Sequence, residues 1–215
     1  MSDSCLSPRV RVKVCGITRL EDALAATHFG ADAVGFVFYD KSPRYIDPAK
    51  AAAILRKLPP FVSAVGLFVN PTQEYLAEVL KAVPLGVIQL HGNETPEFCE
   101  SQRRRVIKAL PVGSADDLAR ADQYSCPLLL DAKAPKGVFG GTGKAFDWSL
   151  LKGFEHPCPL TLAGGLSPEN ITDALRLRSW FAVDVSSGVE LSAGIKDAEK
   201  MRHFIERVNR FSFSA

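Results

Sequence analysis

The residues able to do chemistry stand singly at the ends of short apolar runs. Cys15 follows three β-prone residues in "VKVCGIT", Asp131 closes "PLLLDA", and Gln89 and His91 sit two apart in "VIQLHG". A thiol is a base only as its thiolate, and an unperturbed thiol ionises near ~8.5, so Cys15 needs a stabilising charge to act at neutral pH. A carboxyl raised by burial can donate a proton near neutrality. At the end of an otherwise apolar run, Asp131 reads as a strand cap, an ion-pair partner or such an acid.

Cys15 itself has four readings: core filler, disulfide partner, metal ligand or reactive thiol. The five cysteines, Cys5, Cys15, Cys99, Cys126 and Cys158, are odd in number, widely spaced and free of any C-x-x-C pair. That argues against a disulfide framework or a structural zinc site. The four histidines show no H-x-x-H or H-E-x-x-H spacing, so no metal site is expected. Core filler and reactive thiol stay open for Cys15, while the other four read as small hydrophobes.

Anion chemistry has its own signal. Three Gly-rich segments fall late, each after a strand-like run: Gly137 to Lys144 ("GVFGGTGK"), Leu162 to Asn170 ("LAGGLSPEN") and Val183 to Glu190 ("VDVSSGVE"). Glycine lets backbone N–H groups approach an anion, and "GGLSPEN" leads toward a helix start that favours negative charge. One such segment would be no more than a tight turn. Two on successive units, with the hydroxyls of Ser186 and Ser187, point to phosphate. "GGTGK" lacks the spacing of a nucleotide-binding P-loop, and Ala145 stands where its Ser or Thr would be.

The elements that must position these groups alternate. Val10, Val12 and Val14 recur at period two, and the helical pattern of "ITRLEDALAATHFG" follows, with Gly30 as its C-cap. Asp47 then reads as an N-cap with Pro48 at the first helical position. Eight strand–helix units run on without a break. Such alternation predicts a parallel sheet, and eight units in this length predict an α/β protein with a single-domain (β/α)8 TIM barrel, residues 10–215, after a tail of residues 1–9. The rival open, doubly wound sheet lacks its G-x-G-x-x-G fingerprint in the first turn, "CGITR". In a barrel, strand ends form the catalytic face, and the loops after strands 7 and 8 often hold phosphate. Period two also places Lys13 on the side of Cys15, away from the valines. An inward lysine needs a partner, and strand 8, the neighbour of strand 1 in a closed barrel, carries Asp184. A Lys13–Asp184 pair near Cys15 is therefore expected.

Bulk composition narrows the class. The 215 residues are 47% hydrophobic and 23% charged, with a net charge of +2. A basic surface for nucleic acid or anionic membrane is not indicated. No apolar run approaches the ~20 residues of a membrane span or the form of a signal peptide, so a cytoplasmic location is expected.

Together, "KVCGIT", "SPRYI", "VIQLHG", "LLLDA", "GGTGKAFDW", "LAGGLSPENI" and "VDVSSGVE…GIKD", in this order and at barrel spacing, resemble the phosphoribosylanthranilate isomerase family over residues ~10–210. One departure is Ala193, where the family usually has Pro before the glycine. The resemblance implies a cofactor-free Amadori rearrangement of N-(5-phosphoribosyl)anthranilate to the 1-deoxyribulose 5-phosphate derivative, in tryptophan biosynthesis. It implies Cys15 as general base, Asp131 as general acid and Arg44, of "SPRYI", as the arginine that grips the anthranilate carboxylate. The expected substrate-binding set is Arg44, Gln89, His91, Gly141, Gly143, Gly164, Gly165, Ser186, Ser187 and Gly188, with no metal. The expected partner is a small phosphosugar, bound by a monomer or homodimer.

Three other classes compete. A phosphosugar epimerase would want metal-ligand histidines at strand ends. A Schiff-base aldolase would want a strand lysine, for which Lys108 is the single candidate. A non-catalytic phosphate-binding barrel would need neither Cys15 nor Asp131. Phe36, Phe38, Phe68 and Trp148 read as packing residues, with room for one or two to stack on an aromatic ligand.

Overall fold

The structure is a computed structural model that describes residues 9–133 and 147–211. Gly141 and Gly143 lie outside the described residues. Eight parallel strands pair in sequence order and close on themselves: β1 Arg11–Cys15, β2 Ala33–Val37, β3 Ser63–Phe68, β4 Val87–Leu90, β5 Arg105–Val112, β6 Leu128–Ala132, β7 Leu160–Leu162 and β8 Ala182–Val185. Closure pairs β1 with β8, with Lys13 opposite Asp184 in register.

Strand parity divides the residues between two layers. Val12 and Val14 of β1, Val34 and Phe36 of β2, Phe68 of β3 and Leu128 and Leu130 of β6 face outward and are buried beneath the helices. Each such side chain contributes roughly 1.5–3 kcal/mol through burial, so the outer layer supplies most of the stability. A smaller inner cluster holds Ala109, Leu129 and Ala163, with Ile107 packed against it. Because the apolar load is carried outside, the inner wall can carry polar groups at its upper end. Phe36, Phe38 and Phe68 belong to the outer core, and Phe38 stacks on Phe68 with ring centroids 5.3 Å apart. Trp148 packs against the same core.

The first two helices that cover this layer end and start at the residues expected to do so. Gly30 ends α1 (Leu20–Phe29) at φ 102°, a left-handed conformation suited to glycine. Asp47 caps α2 (Pro48–Leu55), accepting from the N–H groups of Ala49 and Lys50, with Pro48 at the first position. Thr72, Thr95 and Ser114 cap α3 (Gln73–Ala82), α4 (Pro96–Glu100) and α5 (Ala115–Ala119) through their hydroxyls. Helices α6 (Ile171–Arg176) and α7 (Ala198–Arg210) follow β7 and β8.

Two features differ from the expected pattern. The short helix expected around "FDWSLLKG" is a 3-10 turn at Trp148–Leu151, capped by Asp147. After β8 the chain makes a 3-10 turn, Ser187–Val189, then a small antiparallel hairpin of β9 (Glu190–Ser192) and β10 (Ile195–Lys196) before α7. Strands of three and two residues leave no periodic trace in a sequence, so the hairpin has no signal there.

Candidate functional site at the barrel mouth

Cys15 ends β1 with its side chain inside the barrel, and its neighbourhood is made by an absence. A Cβ on Gly35 of β2 would stand 2.8 Å from the Cys15 Sγ and 3.1 Å from the Lys13 Nζ. Glycine there leaves room for a thiol and an ammonium side by side. The Lys13 Nζ donates to Asp184 Oδ1 at 2.8 Å across the β1–β8 seam, with the Cys15 sulfur beside it. The pair expected from parity is thus formed, and both partners are buried.

Charge and burial then oppose each other. Burial pulls the Lys13 ammonium down, but the charges of Asp184 and Cys15 outweigh it and hold Lys13 above the ordinary lysine range. Burial pushes the Cys15 thiol up; Lys13 pulls it back, Asp184 adds to the rise, and the net direction is upward.

Asp131 stands one residue before the end of β6, on the opposite wall. Its Oδ1 accepts from the N–H of Ala132 at 2.8 Å, and its Oδ2 lies 3.0 Å from His91 Nε2. The other imidazole nitrogen, Nδ1, faces Gln89 Nε2 at 2.9 Å. With the amide nitrogen donating to Nδ1, a neutral His91 carries its proton on Nε2, aimed at Asp131. The opposite amide orientation would bury an NH2 group without a partner, which costs more than the single carbonyl oxygen, Gln89 Oε1, that is buried unpaired here. Gln89 and His91 therefore form a chain that fixes the Asp131 carboxyl.

The remaining walls come from loops after β2, β7 and β8. Arg44 reaches in from the β2 loop and grips Glu190 with two hydrogen bonds, Nε to Oε1 at 2.9 Å and Nη2 to Oε2 at 2.8 Å. Gly164 has φ 81°, and a Cβ there would stand 2.3 Å from the Ala132 nitrogen and 2.9 Å from Asp131 Oδ1. Only glycine lets this loop lie against the Asp131 turn. Among the described residues, the N–H groups of Gly164 and Gly165 enter no backbone hydrogen bond. Ser186 Oγ donates to the Cys15 carbonyl at 3.1 Å, tying the β8 loop to β1.

These residues bound one cleft, lined by Cys15, Arg44, Gln89, His91, Gly164, Gly165, Asp131, Asp184, Ser186 and Ser187. Gly188 lies beneath this wall, and a Cβ on it would stand 1.9 Å from the Leu166 carbonyl oxygen. The helix expected directly after "GGLSPEN", α6, starts there, at Ile171. Asn170 closes the loop before it, accepting from the Ser167 N–H and donating to the Gly165 carbonyl.

The structure disposes of one alternative and adds two residues. Lys108 points out of the barrel, where its ammonium donates to the carbonyls of Leu90 and Gly92 and to Glu94 Oε2. It does not reach the cleft, so the aldolase reading loses the lysine it named. None of the four singled-out aromatics lines the cleft; Tyr39 does. Glu190 and Lys196, joined at 2.8 Å behind Arg44, were assigned no role from sequence. Both stand in the "VDVSSGVE…GIKD" run. A charge on a strand of two or three residues has no periodic pattern around it to say where it points. Among the described residues, no group of three His, Cys, Asp or Glu side chains is placed to hold a metal ion.

A closed (β/α)8 barrel with a thiol and a carboxyl facing one cleft, walled by glycine-rich loops after β7 and β8, belongs to the class of barrels built for acid–base chemistry on small anionic ligands. Residues 12–207 match the family model described as N-(5'phosphoribosyl)anthranilate (PRA) isomerase. A curated relative of that name from Pseudomonas fluorescens is 55% identical over 203 residues, covering 93% of this chain and 98% of the relative. The crystal structure of phosphoribosyl anthranilate isomerase from Thermotoga maritima superposes with a TM-score of 0.87 at 49% identity, covering 93% of this chain and 98% of that one. A further structure of this isomerase, in complex with reduced 1-(o-carboxyphenylamino)-1-deoxyribulose 5-phosphate, matches at TM-score 0.84 and 46% identity, over 93% and 98% of the two chains. The chain belongs to the N-(5'-phosphoribosyl)anthranilate isomerase family.

Proposed function

We infer that the chain isomerises N-(5-phosphoribosyl)anthranilate to 1-(2-carboxyphenylamino)-1-deoxyribulose 5-phosphate, with Asp131 as general acid and Cys15 as general base. The observation that carries this is that both groups line one cleft, Asp131 held by His91 and Cys15 beside the Lys13–Asp184 pair. Asp131 gives a proton to the furanose ring oxygen, the C1–O bond breaks, and the anilino nitrogen's lone pair forms the C1=N bond. Cys15, as thiolate, takes the proton from C2, and the C2–H electrons form the C1=C2 bond as the C1=N π pair returns to the nitrogen. The enolamine so formed becomes the ketone by losing its C2 hydroxyl proton and gaining one at C1. The substrate nitrogen is the electron sink, so the residues need only move protons and hold the substrate.

The binding roles follow the walls. Gly164, Gly165 and Ser187 suit the phosphate, since two N–H groups outside the backbone bonding and the Ser187 hydroxyl meet there, while Ser186, whose hydroxyl donates to the Cys15 carbonyl, shapes the same wall. Gly188 acts through the packing of the loops. Arg44 suits the anthranilate carboxylate, because its grip on Glu190 leaves Nη1 outside that pair. Gln89 and His91 hold Asp131. The test is the fluorescence change of the anthranilate substrate with wild type, Cys15→Ser and Asp131→Asn. Each substitution is expected to lower kcat by about 10²-fold or more. Near-wild-type turnover in both variants would overturn the assignment.

A further inference from the structure

Glu190 and Lys196 extend Arg44 into a buried charge cluster. Glu190 Oε1 accepts from Arg44 Nε at 2.9 Å, from Lys196 Nζ at 2.8 Å and from the Gly194 N–H at 3.3 Å, while Oε2 accepts from Arg44 Nη2. The Lys196 side chain is 0% exposed and that of Glu190 5%. The Lys196 ammonium also donates to the Ser186 carbonyl at 3.2 Å, which sets it directly behind the turn that ties β8 to the Cys15 carbonyl. Arg44 is held over Gly16, where a Cβ would stand 2.6 Å from the Arg44 Cδ.

The count of charges in this cluster is uneven: two cations share one carboxylate. The neighbouring charges do not correct it. Asp22, which accepts from the Lys196 backbone N–H, is paired with Arg19. Asp184 is paired with Lys13, and Glu199 with Arg202. Lys200, at the edge, adds a further cation by donating to the Glu190 carbonyl. Burial pulls the Lys196 ammonium below the ordinary lysine range, since Glu190 falls short of offsetting it and Arg44 repels it. Glu190 shows the reverse: burial pushes its carboxyl up, but Arg44 and Lys196 together hold it below the ordinary carboxylate range. A buried cluster with one positive charge in excess is costly alone and favours one arriving anion.

We propose that Lys196 and Glu190 are positioning residues that set the net charge of the Arg44 cluster to plus one, so that the rim of the cleft selects a substrate carrying a carboxylate on its aromatic amine. This rests on the isomerase reading above and deepens it. Arg44 supplies the hydrogen-bonding fork, Glu190 fixes its plane, and Lys196 cancels the charge of Glu190 so that the fork keeps its attraction for an anion.

Two probes separate this role from a structural one: reduced 1-(o-carboxyphenylamino)-1-deoxyribulose 5-phosphate and its 1-phenylamino counterpart without the carboxyl. Calorimetry on the full chain gives the ratio of their affinities. Lys196→Gln makes the cluster neutral and is expected to cut the preference for the carboxylate probe by about tenfold. Glu190→Gln leaves two cations and is expected to raise that preference, while its amide oxygen still accepts from Arg44. Opposite movements cannot arise from a general loosening of the loop. A ratio that stays at the wild-type value in either variant, or moves the same way in both, overturns the proposal. Should one variant fail to fold, the sign of the other decides. Failure of wild type to bind either probe, or to turn over phosphoribosylanthranilate, overturns instead the isomerase reading on which the proposal stands.

Discussion

Burial pushes the Cys15 thiol up, and the adjacent Asp184 carboxylate adds to it, against the pull of the Lys13 and Lys196 ammonium groups. The consequence for activity has a definite sign. A base whose active form is the thiolate gains population as pH rises, so kcat/KM is expected to climb on its alkaline side beyond the ordinary thiol range near ~8.5. Alkylation of Cys15 by iodoacetamide should follow the same rise, read by mass-mapped peptides because Cys126, drawn down to about 7 by its hydrogen bond from Cys99, reacts earlier. A Cys15 alkylation rate already level at pH 7 would contradict this account. At this scale the legible residues were those at strand ends. Cys15, Asp131 and Lys13 could be placed by parity and chain position. Glu190 and Lys196 could not, because their meeting depends on a hairpin two short strands long.

Elements position the site through the fit of one loop against another. The turn after β8 and the loop after β7 touch where Gly188 meets the Leu166 carbonyl, with no space for a side chain between them. Gly188→Ala must drive these two loops apart, and they carry Gly164, Gly165, Ser186 and Ser187. A displacement near 1 Å at a substrate-holding wall costs about 10²-fold in rate. We expect kcat/KM for the isomerisation to fall by that order in Gly188→Ala, with weaker inhibition by inorganic phosphate, and the thermal midpoint to fall as well, because Leu166 and Val189 of these loops belong to the buried core. Wild-type phosphate inhibition in that variant would show that the loops are not coupled. The alternation of strands and helices was readable because burial imposes period two on strands and leaves caps such as Asp47 and Gly30 at helix ends. The 3-10 turn at Trp148–Leu151 was read as a helix, since one short turn with apolar residues carries the same local pattern.

The whole barrel depends on its closing seam, where β1 meets β8. Most of the seam is apolar ladder, Val12 beside Val183 and Val14 beside Val185, but between them the buried Lys13–Asp184 pair joins strands 171 positions apart in the chain. A buried pair gains little over apolar replacement, yet removing one partner strands the other charge, at roughly 3–5 kcal/mol. Lys13→Met should therefore destabilise the chain by about that amount in urea unfolding at neutral pH. Lys13→Met combined with Asp184→Leu should recover much of the loss while leaving turnover impaired, because Cys15 would lack its neighbouring cation. That separation matters for what the pair is for. If the double variant regains stability without activity, the pair exists to serve the cleft and the valines close the barrel. If Lys13→Met unfolds at the wild-type urea concentration, the charge of Asp184 is relieved by protonation, as its upward push from burial allows, and the seam does not need the pair.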